Sequence, residues 1–171
     1  GNLMLGAIRD PNPVIFLQEA SLGGSKSPFT LDSAEMKLGV GRVVRTGSDV
    51  TVLAIGRTVR LVEQAAHKLA DENVSVEIID PRTIYPWDKQ LVLQSVAKTG
   101  RFVAVDTARH TCGFAGEAVA TVASESFAHL VAAPQRISPP DTPMPFAPHL
   151  EKFVSVTEEK ILKTIRSVVS K

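Results

Sequence analysis

The residues best suited to chemistry in this sequence are few and lie in short loops. Cys112 stands two residues from His110, just beyond the apolar run Phe102-Val103-Ala104-Val105. A thiolate nucleophile needs a base beside it, and the carboxyl end of a strand is where α/β sheets present ligands. A pair this close in sequence rarely reaches in-line geometry, however, and no third group stands near to orient the histidine. Gly113-Phe114-Ala115-Gly116 opens the helix that follows. Small residues there could admit a phosphate to the helix N-terminus; more commonly they let the loop turn and the helix lie close on the sheet. Gly56 after one strand and Asp80 at the end of the next have the layout of a dinucleotide site. The phosphate loop of such a site needs Gly-x-Gly-x-x-Gly, and the text here is Gly56-Arg57-Thr58-Val59-Arg60-Leu61. His67, His110, His129 and His149 lack metal-ligand spacing, and His67 is expected on a helix surface.

Two proline-bracketed segments carry more. Pro81-Arg82-Thr83-Ile84-Tyr85-Pro86-Trp87-Asp88 leaves a strand with an arginine and ends on an indole. It is either a rigid strand-to-helix connection, with Trp87 over its own helix, or a contact surface, because rigid loops bearing Arg and Trp make good anchors. Pro139-Pro140-Asp141-Thr142-Pro143-Met144-Pro145-Phe146-Ala147-Pro148 has the same ambiguity. Prolines reduce the entropy lost on ordering an exposed segment, so Met144 and Phe146 could be offered to another chain. The alternative is a stiff crossover covering the sheet edge.

The elements that must position these loops follow from hydrophobic periodicity. Val14-Ile15-Phe16-Leu17 is wholly apolar and reads as a strand buried on both faces. Ser21 to Lys37 is rich in Gly, Ser and polar residues and reads as a connection. Beyond it strand and helix alternate. Val50 to Ile55 is a strand; Val59, Val62, Ala66 and Leu69 mark a helix with Thr58 expected to cap it. Val74 to Ile79 is the next strand, followed by a helix capped by Asp88, carrying Leu93, Val96 and Ala97 and ended by Gly100. Phe102 to Val105, a helix from Phe114 to Phe127, and a short strand Gln135-Arg136-Ile137 come next. The last helix starts near Thr157 and buries Ile161, Leu162, Ile165, Val168 and Val169. This alternation predicts an α/β, three-layer fold on a mainly parallel sheet.

Composition excludes several classes. A net charge of +1, with basic residues spread along the chain, calls for neither nucleic acid nor an anionic membrane as partner. One cysteine permits no internal disulfide, and no apolar run approaches the about 20 residues of a membrane-spanning helix. Gly1 to Arg9 has no signal-peptide pattern and reads as the end of a helix.

Taken in order, Ala7-Ile8-Arg9-Asp10-Pro11-Asn12-Pro13, Gly47-Ser48-Asp49-Val50-Thr51, Asp80-Pro81-Arg82-Thr83-Ile84, Pro86-Trp87-Asp88, Ser95 to Arg101, Gly113-Phe114 and Asp141-Thr142-Pro143-Met144-Pro145 resemble one family. It is the beta subunit of thiamine-diphosphate-dependent 2-oxo acid dehydrogenases, of the pyruvate, branched-chain and acetoin type, and the resemblance spans essentially the whole chain. It implies an oxidoreductase that decarboxylates a 2-oxo acid and passes the acyl group to a lipoyl group. Pro86-Trp87-Asp88 leans towards branched-chain members, while Pro145-Phe146-Ala147-Pro148 also occurs in acetoin-type ones.

The resemblance also implies an organisation. Residues 1–20 would be the tail of the pyrimidine-binding domain, 21–44 a linker, and 45–171 a transketolase-like carboxy-terminal domain. The family's pyrimidine-binding glutamate and catalytic histidine lie upstream of the matched region. Its diphosphate–Mg²⁺ motif belongs to the alpha subunit, so the isolated chain is expected neither to bind thiamine diphosphate and Mg²⁺ nor to catalyse. Related beta subunits hold a potassium ion in the turn that corresponds to the carbonyls of Ala7 and Ile8 with Asp10 and Asn12. The local alternative is Asp10 and Asn12 bonding their own backbone. Implied partners are an alpha subunit, a second beta subunit in a heterotetramer, and the lipoyl acyltransferase component. The compartment would be the cytoplasm in a bacterium or the mitochondrial matrix in a eukaryote. Asp106-Thr107, Arg109-His110 and Val131-Ala132 depart from patterns common in branched-chain relatives, the last where some place an acid that docks the acyltransferase. From another class, a stand-alone α/β binding domain without catalysis answers to the same elements.

Overall fold

In β2, Val50–Ala54, every residue is buried, because helices cover both faces of the strand. Side chains of a strand alternate sides, and here each side has its own core. In the computed structural model, which describes residues 2–24 and 37–170, Val50, Val52 and Ala54 face one cluster and Leu53 the other.

The first cluster joins α2, Thr58–Ala70, and α6, Glu158–Val169, to one face of the sheet through Val62, Ala66, Leu69, Ile161 and Ile165. The second joins α3, Lys89–Thr99, and α4, Phe114–Glu125, to the opposite face through Val92, Val96, Ala118 and Val122. The result is three layers, as expected. The sheet order is β1-β3-β2-β4-β5, with β1 Arg42–Arg45, β3 Val76–Asp80, β4 Phe102–Val105 and β5 Gln135–Ile137. β2 runs parallel to β3 and β4, β5 runs parallel to β4, and β1 alone is antiparallel. β1 is a strand that the sequence pattern did not reveal: Arg-Val-Val-Arg has no alternation, and only pairing with β3 defines it.

Capping chemistry sets the helix ends. The Asp88 carboxylate accepts the Leu91 N–H at 3.1 Å, and Gly100 closes α3 at φ +69°. That left-handed conformation is one a side chain resists. Thr157 accepts the Lys160 N–H at 3.3 Å at the start of α6, whose first turn carries Glu158 and Glu159. Pro148 begins a further short helix, α5, Pro148–Val154, where the missing N–H of proline costs nothing.

Three expectations are corrected. Val14 to Leu17 is not a buried strand: the segment is extended without a ladder, and Ile15 and Leu17 are 89% and 78% exposed. A strand exists only against a neighbour, and none of the described residues supplies one. Thr58 does not cap α2 by accepting from its amides. Its hydroxyl instead accepts the Ile55 N–H at 2.8 Å and donates to the Ile55 carbonyl, while itself buried in the first turn. Ala97 lies on the exposed side of α3, whose inward positions are Val92, Ser95, Val96 and Thr99. Gly23 and Gly24 end the described part of the 21–44 stretch on that side, and residues 25–36 lie outside it; Ala20–Leu22 forms a single 3-10 turn.

Candidate functional site: the carboxyl edge of the sheet

The loops picked out above, those after β2, β3, β4 and β5, leave the same edge of the sheet, because parallel strands all point their carboxyl ends one way. The strand order reverses about β2: α2 leads to β3 on one side, and α3 leads back across to β4 on the other. Open α/β sheets take ligands outside such a switch point.

The acidic side chains along this edge are already engaged. Asp106, 5% exposed, accepts the Ala108 N–H at 3.0 Å and the Ala115 N–H at 3.3 Å, so a carboxylate satisfies the start of α4 where a phosphate would otherwise lie. Gly113 serves close approach there: a Cβ on it would fall 2.3 Å from the Arg109 carbonyl oxygen. Asp80 accepts the Arg82 N–H at 3.0 Å and pairs with Arg42 at 3.4 Å, which leaves it no ribose-binding role. Asp141 accepts the Thr111 N–H at 2.9 Å and the Thr111 hydroxyl at 2.7 Å. Those two hydrogen bonds, backbone first, hold its carboxyl below the usual range. Glu19 pairs with Arg57 at 3.0 Å after β2.

The Cys112–His110 pair is not assembled as a nucleophile and base. Cys112 is exposed at φ +59°, while His110 Nδ1 lies 3.0 Å from the Ser138 hydroxyl and the His110 carbonyl accepts from Arg136 at 3.0 Å. These contacts tie the β4 loop to the proline-rich segment; with the Thr111–Asp141 bonds they hold that segment against the sheet edge. Among the described residues no group of three His, Cys, Asp or Glu could hold a metal ion.

Both proline-bracketed segments present apolar side chains. Tyr85 is 93% exposed, and Arg82, half-buried, sits at φ +59°, a backbone conformation that costs a non-glycine residue of order 1 kcal/mol. Trp87 packs against the cluster that contains Val92 and Val96 of its own helix, and it also reaches α4. Its ring meets Phe114 of α4 edge to face, with centroids 5.3 Å apart, which clamps the starts of α3 and α4 together. A groove of 540 Å³ runs beside it, lined by Ile84, Tyr85, Pro86, Phe114 and Thr121 among others. On the other segment Phe146 is fully exposed and Met144 46% exposed, with Phe153 of α5 79% exposed nearby in sequence.

In the amino-terminal unit, α1, Asn2–Arg9, ends at Asp10, whose N–H donates to Gly6 O at 3.1 Å. The next donor in the helical pattern would be Pro11, which has no N–H for Ala7. The one after it, Asn12, gives its N–H to Asp10 Oδ1 at 2.9 Å instead of to Ile8, and its side-chain amide donates to the same oxygen at 3.0 Å. The local bonding of Asp10 and Asn12 is therefore present; it diverts the donor that would reach the Ile8 carbonyl, while Pro11 has none to give Ala7.

Residues 39–161 match the family described as transketolase, C-terminal domain, and the chain belongs to that family. Along nearly its whole length it resembles beta subunits of 2-oxo acid dehydrogenases. It is 38% identical over 169 residues to the 2-oxoisovalerate dehydrogenase subunit beta 2, mitochondrial, of Arabidopsis thaliana, covering 98% of this chain and 47% of that protein. It is 40% identical over 167 residues to the pyruvate dehydrogenase E1 component subunit beta of Acholeplasma laidlawii, covering 97% and 51%. The beta subunit of an acetoin:2,6-dichlorophenolindophenol oxidoreductase from Cupriavidus necator is 36% identical over 167 residues, covering 98% and 49%. The chain thus spans about half the length of the curated relatives it matches. Among solved structures, a split-gene transketolase in an inactive beta4 tetramer superposes with a TM-score of 0.71 over 86% of this chain and 46% of that one, at 21% identity; that likeness concerns the fold.

The described residues do not by themselves fit thiamine diphosphate and its metal. The edge carboxylates Asp80, Asp106 and Asp141, with Glu19, are spent on backbone amides and arginines, which leaves none placed to bond an aminopyrimidine or clamp a diphosphate. What the edge offers is a stiff set of loops with apolar side chains turned outward. Sequence reasoning missed Glu19 as a member of this edge; its partner Arg57 is 38 residues away, and no local pattern signals the pair.

Proposed function

We propose that this chain is the carboxy-terminal part of the beta subunit of a thiamine-diphosphate-dependent 2-oxo acid dehydrogenase, serving subunit assembly and docking of the lipoyl acyltransferase component. The observation that carries this reading is the resemblance to three such beta subunits across at least 97% of the chain, through the amino-terminal unit as well as the sheet. The substrate read from Pro86-Trp87-Asp88 is a branched-chain 2-oxo acid. Residues 1–20 are the tail of the pyrimidine-binding domain, 21–44 the linker, whose last residues already enter β1 of the sheet, and 45–171 the transketolase-like domain. Thiamine diphosphate and Mg²⁺ are held by groups of the assembled enzyme outside this chain. The carbonyls of Ala7 and Ile8, with Asp10 and Asn12, form part of a potassium site in that enzyme. Oxygen ligands at a helix carboxyl end suit a hard cation, and the missing N–H of Pro11 and the diversion of the Asn12 N–H to Asp10 support it. The enzyme works in a bacterial cytoplasm or a mitochondrial matrix according to its source; no helix among the described residues is long and apolar enough to cross a membrane.

Reconstitution tests the reading. The chain is mixed with a thiamine-binding alpha subunit and the amino-terminal half of a related beta subunit, and 2-oxo acid decarboxylation is followed. Activity is expected in the mixture only; a mixture that assembles but stays inactive with every 2-oxo acid would favour a stand-alone binding domain. Calorimetric titration of the chain alone with thiamine diphosphate and Mg²⁺ is expected to show no micromolar binding, and a stoichiometric micromolar site would refute the division of labour.

Arg82, Trp87, Met144 and Phe146 are the interface residues of this reading, the last two exposed and the first two half-buried. Phe146 separates assembly from folding most cleanly because its ring is fully exposed. Phe146→Ser is expected to leave thermal unfolding of the chain within about 0.5 kcal/mol of the parent and to weaken assembly with the alpha subunit about tenfold or more, as loss of an aromatic anchor does. Equal assembly in analytical ultracentrifugation would remove Phe146 from the interface.

A further inference from the structure

The switch point beside β2 is a place on the edge where the fold itself calls for an anion, as the start of α4 is, and here too the chain supplies it from within. The Glu19 carboxylate reaches the turn between β2 and α2. Its Oε2 accepts the Arg57 N–H at 2.8 Å, and its Oε1 lies 3.0 Å from Arg57 Nε. Arg57 immediately precedes the first residue of α2, so this amide is among the donors that a helix start leaves free for an anion. Gly56 makes room for it. Its φ is +57°, and a Cβ on it would stand 2.5 Å from Glu19 Oε2. Both partners of the ion pair are about one-third exposed, at 34% and 29%, so the charge is shielded from water without being sealed off. Phosphate-binding sheets put a ligand in this position; here a side chain of the same polypeptide takes it.

Glu19 lies two residues past Leu17, the end of the apolar run Val14 to Leu17, which is extended and exposed. A contact at Glu19 therefore fixes where that run leaves the carboxyl edge. We infer that Glu19 is a positioning residue: it latches the amino-terminal segment onto the sheet's switch point and so holds the two units of the beta subunit in one mutual orientation. This inference rests on the functional reading above for its consequence in catalysis, but not for the latch itself.

The latch is tested in the 171-residue chain by amide hydrogen exchange on Glu19→Ala, Gly56→Ala and the double variant, with a thermal melt of each. Either single change is expected to speed exchange at Arg57 about tenfold and to raise exchange in residues 20–24; Glu19→Ala melts like the parent, whereas Gly56→Ala, strained at φ +57°, melts lower. Because both changes break one contact, the double variant should exchange at Arg57 no faster than Glu19→Ala, the non-additivity expected of a shared interaction. Unchanged exchange at Arg57 in Glu19→Ala, or simple additivity in the double variant, would overturn the latch. Its positioning role is read in the reconstituted enzyme, where Glu19→Ala should lower kcat about tenfold with little change in KM; unaltered kcat would overturn that role. Failure of the parent chain to reconstitute would instead count against the functional reading, and the exchange result would still decide the latch.

Discussion

Glu77→Ala is expected to destabilise the chain by about 3 kcal/mol, the lower end of what breaking a buried ion pair costs. Glu77 stands in β3 opposite Thr51 of β2, is 4% exposed, and faces α3. Its Oε1 accepts from the Ser95 hydroxyl at 2.5 Å, and its Oε2 accepts from the Gly47 N–H at 3.2 Å and from Lys98 Nζ. The Ser95 hydroxyl in turn meets Thr51 Oγ1 at 2.6 Å, and Thr51 meets Thr99 at 2.7 Å. These groups form one polar chain under α3, and removing the carboxylate takes away one of the Ser95 hydroxyl's two partners and the acceptor of the Gly47 amide. Lys98 is half exposed and can turn to solvent, which is why the lower end of the range applies. For a chain of this size the loss amounts to about 6–12 °C in Tm.

The acid limb of stability should carry the same signature. Burial by itself would raise the Glu77 carboxyl, but hydrogen bonds from Lys98, Ser95 and the Gly47 amide, with the Lys98 charge, outweigh it and hold the group below the usual carboxylate range. A carboxyl whose folded value is depressed contributes stability that is fully present above its unfolded value of about 4.3 and is lost as pH falls through the folded one. The parent should therefore weaken from about pH 4 downwards, and Glu77→Gln should lack that part of the fall. Urea denaturation from pH 3 to 7 measures both effects. Matching midpoints for parent and Glu77→Ala at pH 7 would show that the network contributes nothing.

Phe102→Ala is expected to cost about 4 kcal/mol, within the range for an aromatic truncated in a core that cannot collapse. Phe102 is the first residue of β4 and 0% exposed; its ring packs in the cluster that joins Leu53 and Ile79 of the sheet to Val92 and Val96 of α3 and Val122 of α4. Two neighbouring strands and two helices would lose contacts to one cavity. Phe102→Leu keeps most of that volume and should cost less than about 1.5 kcal/mol. Denaturant unfolding of the two variants compares them directly; a loss below 1 kcal/mol for the alanine would mean that the neighbouring helices close over the site. Both predictions bear on function, since α3 and α4 begin at the loops that carry Trp87 and Cys112.

Much of the architecture was legible residue by residue. Val50 to Ile55, Phe102 to Val105 and Gln135 to Ile137 are strands within a residue of where the apolar runs place them, and Asp88, Gly100 and Thr157 act as read. The candidate edge was legible only in part. Met144 and Phe146 are exposed and Arg82 half-buried; Trp87 also meets Phe114 of α4, which its sequence neighbourhood does not signal, and Glu19 was not anticipated. The inward polar positions Thr51, Glu77, Ser95 and Thr99 were also missed. A single polar residue in an apolar strand looks like a solvent-facing one until a helix is known to cover that face.

What the amino-acid order alone determined is most of the elements after residue 50 and the family. Strand runs, helix stripes and caps depend on neighbours within about four residues, through backbone hydrogen bonds and side-chain periodicity. The tertiary structure decided everything that requires distant groups to meet: β1 as the antiparallel edge, the Ser95–Glu77 bond across 18 residues, the Thr51–Thr99 bond across 48, and the Glu19–Arg57 contact across 38. It also decided that Val14 to Leu17, apolar enough for any strand, stays unpaired among the described residues. An isolated run has the side chains of a strand but not its partner, and a ladder needs both.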